Sequence, residues 1–357
     1  YIIIVTCMDK KIKNRALSAC LKSHDLKIKK AIKKNNDDLI KNCFKNENHF
    51  SYLAWEELSP EKIIEGDCVP VFPKYIRIGD LFFEGLQRES QIAIPCFLPL
   101  SKRKGFFLHT KKALSYRSEN LLQSIVLRIV SSLPPKAIRI HLIDLQSKGR
   151  AFSLLGGLDH NITPSAPSAA DQVTTLLKYL ETSVNEISRR CLSSHEWLCD
   201  FNASNPDDAE PYQLVCISGF PNEFEDESLK SISRLLRHEC GARAGIYFLF
   251  SSHAPLPVSN EYLDFPIVFT EENNTEIIDA EFDTSLGGKL SELNLIPDNY
   301  PSNASEYINA LNAQVYAKPK FKKVSIAFDE SKIWNSSAAS GVAIPIGKAG
   351  REDLVFR

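Results

Sequence analysis

Basic residues crowd one short loop of this chain, His109-Thr110-Lys111-Lys112-Ala113-Leu114-Ser115-Tyr116-Arg117-Ser118-Glu119-Asn120, directly ahead of an apolar helical pattern. Lys111, Lys112 and Arg117 could draw an anion to the start of that helix, where free backbone N–H groups carry partial positive charge. Ordinary surface cations explain them equally well. Gripping a nucleoside triphosphate demands more: a glycine-rich loop whose N–H groups wrap the phosphates, a lysine to neutralise them and a hydroxyl on Mg²⁺. It also needs a carboxylate at a neighbouring strand end and a group that orients the attacking water. No glycine lies between His109 and Ser118, and Glu119 would repel a phosphate at the helix start. Asp144 closes the run Ile138-Arg139-Ile140-His141-Leu142-Ile143 and supplies an acidic strand end. Without a phosphate loop, it reads better as a strand-end cap.

The elements that must position these residues alternate between two periods. Gly105–Leu108, Ile138–Ile143, Leu214–Ile217 and the run from Ile246 are short, β-rich and apolar. Between them, Leu121, Leu122, Ile125, Val126, Ile129 and Val130, then Leu176, Leu177, Leu180, Val184 and Ile187, then Leu229, Ile232, Leu235 and Leu236 recur with helical spacing. Pro134-Pro135 must end the first of these helices. Strands alternating with helices predict an α/β fold, a mostly parallel sheet with helices on both faces. Ligands of such sheets bind beyond the carboxyl ends of the strands. The loops after Leu108, Ile143, Ile217 and Ser251 are therefore where chemistry would sit.

Composition excludes little. The 357 residues are 43% hydrophobic and 24% charged with a formal net charge of -1, so the chain can bury a sizeable core and has no global bias toward nucleic acid or membrane. Nine cysteines without a Cys-x-x-Cys pair predict a reduced, cytoplasmic protein without a zinc site. No apolar run reaches membrane-spanning length and no secretory signal is visible. Starting on Tyr1 and stopping at Arg357 in mid-pattern, the chain reads as a piece of something longer. A lysine-rich, mainly helical segment covers 1–72; its basic face reads as a solvated surface or as a patch for a DNA backbone, the first being favoured by the acidic residues that balance it. A unit of 76–296 follows, and 297–357, with Pro297, Pro301, Pro319 and a Ser/Ala-rich stretch, reads as a linker leading into another unit.

The order of several motifs resembles the FtsK/SpoIIIE-type DNA translocases of the FtsK/HerA class. Gly241-Ala242-Arg243-Ala244-Gly245-Ile246, running on to Ser251-Ser252-His253-Ala254-Pro255, is similar to their Gly-Arg-Ala-Ala-Gly-Ile-His strand and its Thr-Gln-Arg-Pro exit. His253 then stands at the glutamine that faces the ATP γ-phosphate, and Ala242 at the arginine, with Arg243 one step away. Leu121-Leu122-Gln123-Ser124 resembles the family's helix, which puts Ser118 at the phosphate-binding lysine and Glu119 at the Mg²⁺ hydroxyl. Leu214–Phe220 falls where the family has a strand ending Asp-Glu-Phe, so Ser218 and Gly219 replace the metal carboxylate and the catalytic base. Leu142–Gly149 resembles its Ile-Asp-Pro-Lys-Gly, with Asp144 retained. Asn185–Arg190 resembles its Glu-Met-x-Arg-Arg helix near a subunit boundary, which makes Arg189 and Arg190, with Arg243, interface candidates. Tyr75-Ile76-Arg77-Ile78-Gly79-Asp80, echoed by Ile344-Pro345-Ile346-Gly347, resembles the strand that leads into each motor domain.

The resemblance implies a RecA-like domain without its catalytic residues, and Lys111, Lys112, Arg117, Ser118, Asp144, Ser218 and His253 as what is left of a nucleotide site. It implies no cofactor for this domain, with ATP and Mg²⁺ held by a neighbouring motor domain. Expected partners are further copies of the chain in a hexameric ring, the adjacent motor domain and, through the longer protein, double-stranded DNA. The leading expectation is a pseudo-ATPase module of a DNA translocase serving phage defence or DNA transfer. The alternatives are a nucleotidase with unusual ligands (Lys111, Arg117, Asp144) and an interaction scaffold of a secretion or defence complex.

Overall fold

A computed structural model describes residues 48–63, 71–83, 94–110, 115–253, 266–271, 274–277, 293–316, 344–349 and 352–356. The lysine-rich stretch before residue 48 lies outside them, as do Lys111 and Lys112. The strands are β1 (Tyr75–Phe83), β2 (Ile94–Pro99), β3 (Gly105–Thr110), β4 (Ile138–Asp144), β5 (Tyr212–Ser218), β6 (Ile246–Ser252), β7 (Pro266–Glu271), β8 (Asn274–Ile277), β9 (Leu293–Pro297), β10 (Ile344–Ala349) and β11 (Glu352–Phe356). The helices are α1 (His49–Tyr52), α2 (Ser115–Ser132), α3 (Ala170–Arg190), α4 (Leu198–Ser204), α5 (Asp226–Leu236), α6 (Cys240–Arg243) and α7 (Ala304–Val315).

The main sheet has the order β4-β5-β6-β3-β7-β8, parallel except for β8. Its strands divide their side chains by parity, as a pleated sheet covered on both faces requires. Phe106, Leu108, Ile140, Leu142, Leu214, Cys216, Tyr247 and Leu249 face one core with α2. Phe107, Ile143, Val215, Ile217, Phe248 and Phe250 face another with α3 and α5. Strand β3, the first parallel strand in the chain, lies between β6 and β7. Its crossover helix α2 covers one face while α3 and α5 cover the other. The strand order therefore reverses at β3, and the carboxyl edge there is the crevice where such folds bind ligands.

One polar pair interrupts the second core. His141 Nε2 donates to Gln213 Oε1 at 2.8 Å, both residues being buried, and His141 Nδ1 has no partner. Burial first, and then the nearby Arg139 charge, lower the His141 pKa against the opposing effect of the Gln213 bond. The folded state therefore favours the neutral ring. Stability from this group is complete above the ordinary histidine value of about 6.5 and declines as pH falls below it, by at most about 1.4 kcal/mol per pH unit. Urea midpoints measured down a pH series should show this slope, and His141→Gln should remove its share.

Two stretches depart from the sequence reading. Residues 48–63, expected to belong with the lysine-rich segment, place Phe50, Trp55 and Ile63 in the main core. Residues 298–316, expected to be linker, carry α7, whose Ala304, Tyr307, Ile308 and Leu311 are buried in the same core. The physical reason lies on α2. Every residue from Leu121 to Leu133 is buried, because these two stretches and the loop at 150–158 cover the side of the helix that reads as polar. Two polar side chains there are bonded inward: Ser124 Oγ accepts from Trp55 Nε1 (3.0 Å) and Gln123 Oε1 from the Leu154 N–H (3.0 Å).

The chain divides into two compact units, 1–317 and 318–357. In the first, β2-β1-β9 form a small antiparallel sheet, and the β1–β2 register shifts between Arg77 and Gly79. In the second, β10 and β11 pair antiparallel with a shift between Pro345 and Gly347. The repeated Ile-Gly of the two lead-ins thus falls at the same bulge in both hairpins.

Candidate functional site

The carboxyl edge of the main sheet collects several of the residues singled out above. Register aligns Asp144 of β4 with Ser218 of β5, Ser218 with Ser251 of β6, and Ser251 with Leu108 of β3. Only residues 111–114 separate the end of β3 from the start of α2, so Ser118 already lies within the first turn of the helix. Its side chain is fully buried; Oγ donates to Ser115 O (2.9 Å) and lies 2.9 Å from Ser251 Oγ. At the position where the resemblance calls for a phosphate-binding lysine, a short hydroxyl is tied to the central strand. Ser251 lies in the strand exit that the resemblance covers, but no motif gives it a role; the register and its contact with Ser118 do.

Asp144 is fully occupied. Its carboxylate accepts from Ser147 N (2.8 Å), Ser147 Oγ (2.8 Å), Gly149 N (2.9 Å) and Ala151 N (3.1 Å), which folds the 144–151 turn onto the end of β4. Asp144→Ala should lower stability by roughly 1–3 kcal/mol, because the buried Ala151 N–H loses its acceptor. Chemical denaturation reads this directly. Beside it, the Glu119 carboxyl is raised by burial and then by the Asp144 charge, with Arg150 opposing. Glu119 near the start of α2 and Asp144 at the end of β4 put acidic groups at this edge, which opposes an incoming phosphate.

Ser218 is buried, and Gly219 follows it with a φ of +73°. A Cβ at Gly219 would meet the side chain of Gln146, whose Cδ would lie 3.0 Å away. This left-handed backbone suits glycine, and a side chain there would also require the end of Gln146 to move aside. Of the remaining candidates, Arg117 is half-buried in the first turn of α2, and His253 follows β6 in a half-buried position. Among the described residues no cluster of three or more His, Cys, Asp or Glu could hold a metal ion.

The interface candidates lie at the opposite edge of the sheet. Arg189 and Arg190 end α3, and Arg190 pairs with Glu210, just before β5, at 2.7 Å while remaining exposed. Arg243 precedes β6 and donates through Nε to Glu196 O (3.1 Å). Arg189 is exposed on the surface. Among the described residues no helix is long and apolar enough to cross a membrane.

No protein-family model matches the chain, and no curated protein does. Solved structures do. EssC (ATPases 2 and 3) from Geobacillus thermodenitrificans aligns over 84% of this chain and 61% of its own, with 14% identity and a TM-score of 0.52. Thermomonospora curvata EccC (ATPases 2 and 3), in complex with a signal sequence peptide, aligns over 79% of this chain and 55% of its own, with 11% identity and a TM-score of 0.50. The chain thus spans less than two thirds of each. At these identities the likeness concerns fold alone: this chain shares with those structures an α/β, RecA-like architecture, a mostly parallel sheet with helices on both faces.

Proposed function

We propose that the unit ending at residue 317 is a catalytically silent FtsK-like ATPase module of a larger cytoplasmic motor, acting in assembly or regulation beside an active domain that supplies ATP and Mg²⁺ binding. The observation that carries this reading is the buried Ser118–Ser251 hydroxyl pair, placed where a triphosphate would need a lysine and open backbone N–H groups. The saturated Asp144 and the left-handed glycine at 219, where the resemblance calls for a catalytic carboxylate, support it. Arg117 and His253 then serve as ordinary half-buried residues of a first helical turn and a strand end. Arg189, Arg190 and Arg243 offer cationic contacts to a neighbouring subunit, in a ring if the longer protein forms one.

DNA translocation remains the activity that the motif order suggests for the longer protein. A motor that handles polypeptide is a second reading, favoured by the structural likeness to ATPases 2 and 3 of EccC, solved in complex with a signal sequence peptide. Steady-state phosphate release from ATP tests the module itself. The chain alone should show no turnover above buffer, with or without double-stranded DNA. Turnover that disappears in Arg117→Ala or Asp144→Asn would replace this reading with that of a nucleotidase using unusual ligands.

A further inference from the structure

Arg128 sits past the middle of α2 with none of its surface exposed. Nη1 donates to Phe50 O (3.0 Å) and Leu53 O (2.7 Å), and Nη2 to Asp298 Oδ2 (2.7 Å). The guanidinium carbon lies 4.3 Å from the centre of the Trp55 ring. The same Asp298 oxygen accepts from Arg77 Nε of β1 at 3.1 Å, and Arg77 continues to Asp80 at 2.8 Å. Burial lowers the Arg128 pKa to about 10, which leaves it charged at neutral pH. One cation therefore holds the chain where it approaches the sheet, at 50–55, and where it leaves β9, at Asp298.

The other end of the same helix is the degenerate edge, where Ser118 meets Ser251. Ten residues of helix put the two pins about 15 Å apart. A buried charge with fixed partners has few tolerated positions, because any shift leaves the guanidinium or its acceptors unsatisfied. From Leu121 to Ser132 the helix is buried throughout, so this stretch shifts as a body rather than by local repacking.

We propose that Arg128 and Asp298 form a mechanical coupling, through which docking or tension on the segments flanking the sheet sets the position of α2 and of the Ser118–Ser251 edge. Arg128 is in this sense a positioning residue. The coupling operates whether or not any nucleotide binds.

Amide hydrogen exchange on the full chain tests it. Asp298→Asn keeps one acceptor and removes the charge. It should speed exchange roughly tenfold, the scale of one weakened charged hydrogen bond, in 49–53, in 304–315 and in the distant amides of Glu119–Ser124. Leu176–Leu180 of α3 should be unchanged, and Asp80→Asn, at the periphery of the cluster, should leave Glu119–Ser124 as they are. Faster exchange confined to 49–53 and 304–315 would reduce the cluster to a local staple and overturn the coupling. So would equal acceleration throughout the chain, or none. Should Asp298→Asn not fold, Arg128→Lys, which keeps the charge but not the fork, is read by the same criteria.

Discussion

Asp298→Ala is expected to cost about 3–5 kcal/mol, enough to unfold many domains of this size. The carboxylate is the shared partner of two guanidiniums, Arg128 at 2.7 Å and Arg77 at 3.1 Å, and the Arg128 side chain has no exposed surface. Removing it leaves Arg128 charged in a low-dielectric interior with only the carbonyls of Phe50 and Leu53 as acceptors. Asp80→Ala gives the contrast. Its side chain is 30% exposed and touches only Arg77 within the cluster, so about 1 kcal/mol or less should be lost. Urea unfolding should show a large drop in midpoint for the first variant and a small one for the second, each with an unchanged slope. Equal losses would mean that Asp298 acts as an ordinary surface partner.

Gly105→Ala is expected to be nearly as damaging, by about 3 kcal/mol or more. Strand β3 begins at Gly105 with a φ of +142°, opposite Phe248 in the centre of β6. A Cβ there would run into the Phe248 carbonyl oxygen, with the Phe248 carbonyl carbon at 2.7 Å and nitrogen at 2.9 Å. Backbone in a central strand cannot give way as a side-chain tip would. Gly149→Ala separates clash from conformation. At a φ of +89° with nothing within 4 Å of the added Cβ, it carries only the left-handed strain, about 1 kcal/mol. Thermal or chemical unfolding of the two variants should therefore differ by a wide margin.

Much of the main sheet was legible because parallel strands covered on both faces leave apolar runs such as Ile246–Phe250, and their crossover helices leave periodic stripes such as Leu176, Leu177, Leu180 and Ile187. The observed strand Ile138–Asp144 and helix Asp226–Leu236 extend those patterns by only a few residues. The flanks were not legible. Arg128, Gln123 and Ser124 read as the wet side of an amphipathic helix, and only partners up to 170 residues away, Asp298 among them, turn that side into core. Pro301 reads as a breaker, yet it stands ahead of α7, where the Ala304 N–H donates to its carbonyl at 3.0 Å. At the candidate site, the missing glycines and carboxylates were visible in the loops. What fills their place was not: the Ser118–Ser251 pair depends on the register of β6, and the closure of Asp144 on its own turn depends on backbone N–H groups that no residue pattern names.

The most direct measurement is a calorimetric titration of the full chain with Mg-ATP, repeated with Mg-ADP. A silent module should give no saturable heat up to millimolar nucleotide. Binding at about one site per chain, weakened by Arg117→Ala or by a bulky residue in place of Ser251, would contradict the account and make the carboxyl edge of β3 and β6 a working nucleotide site.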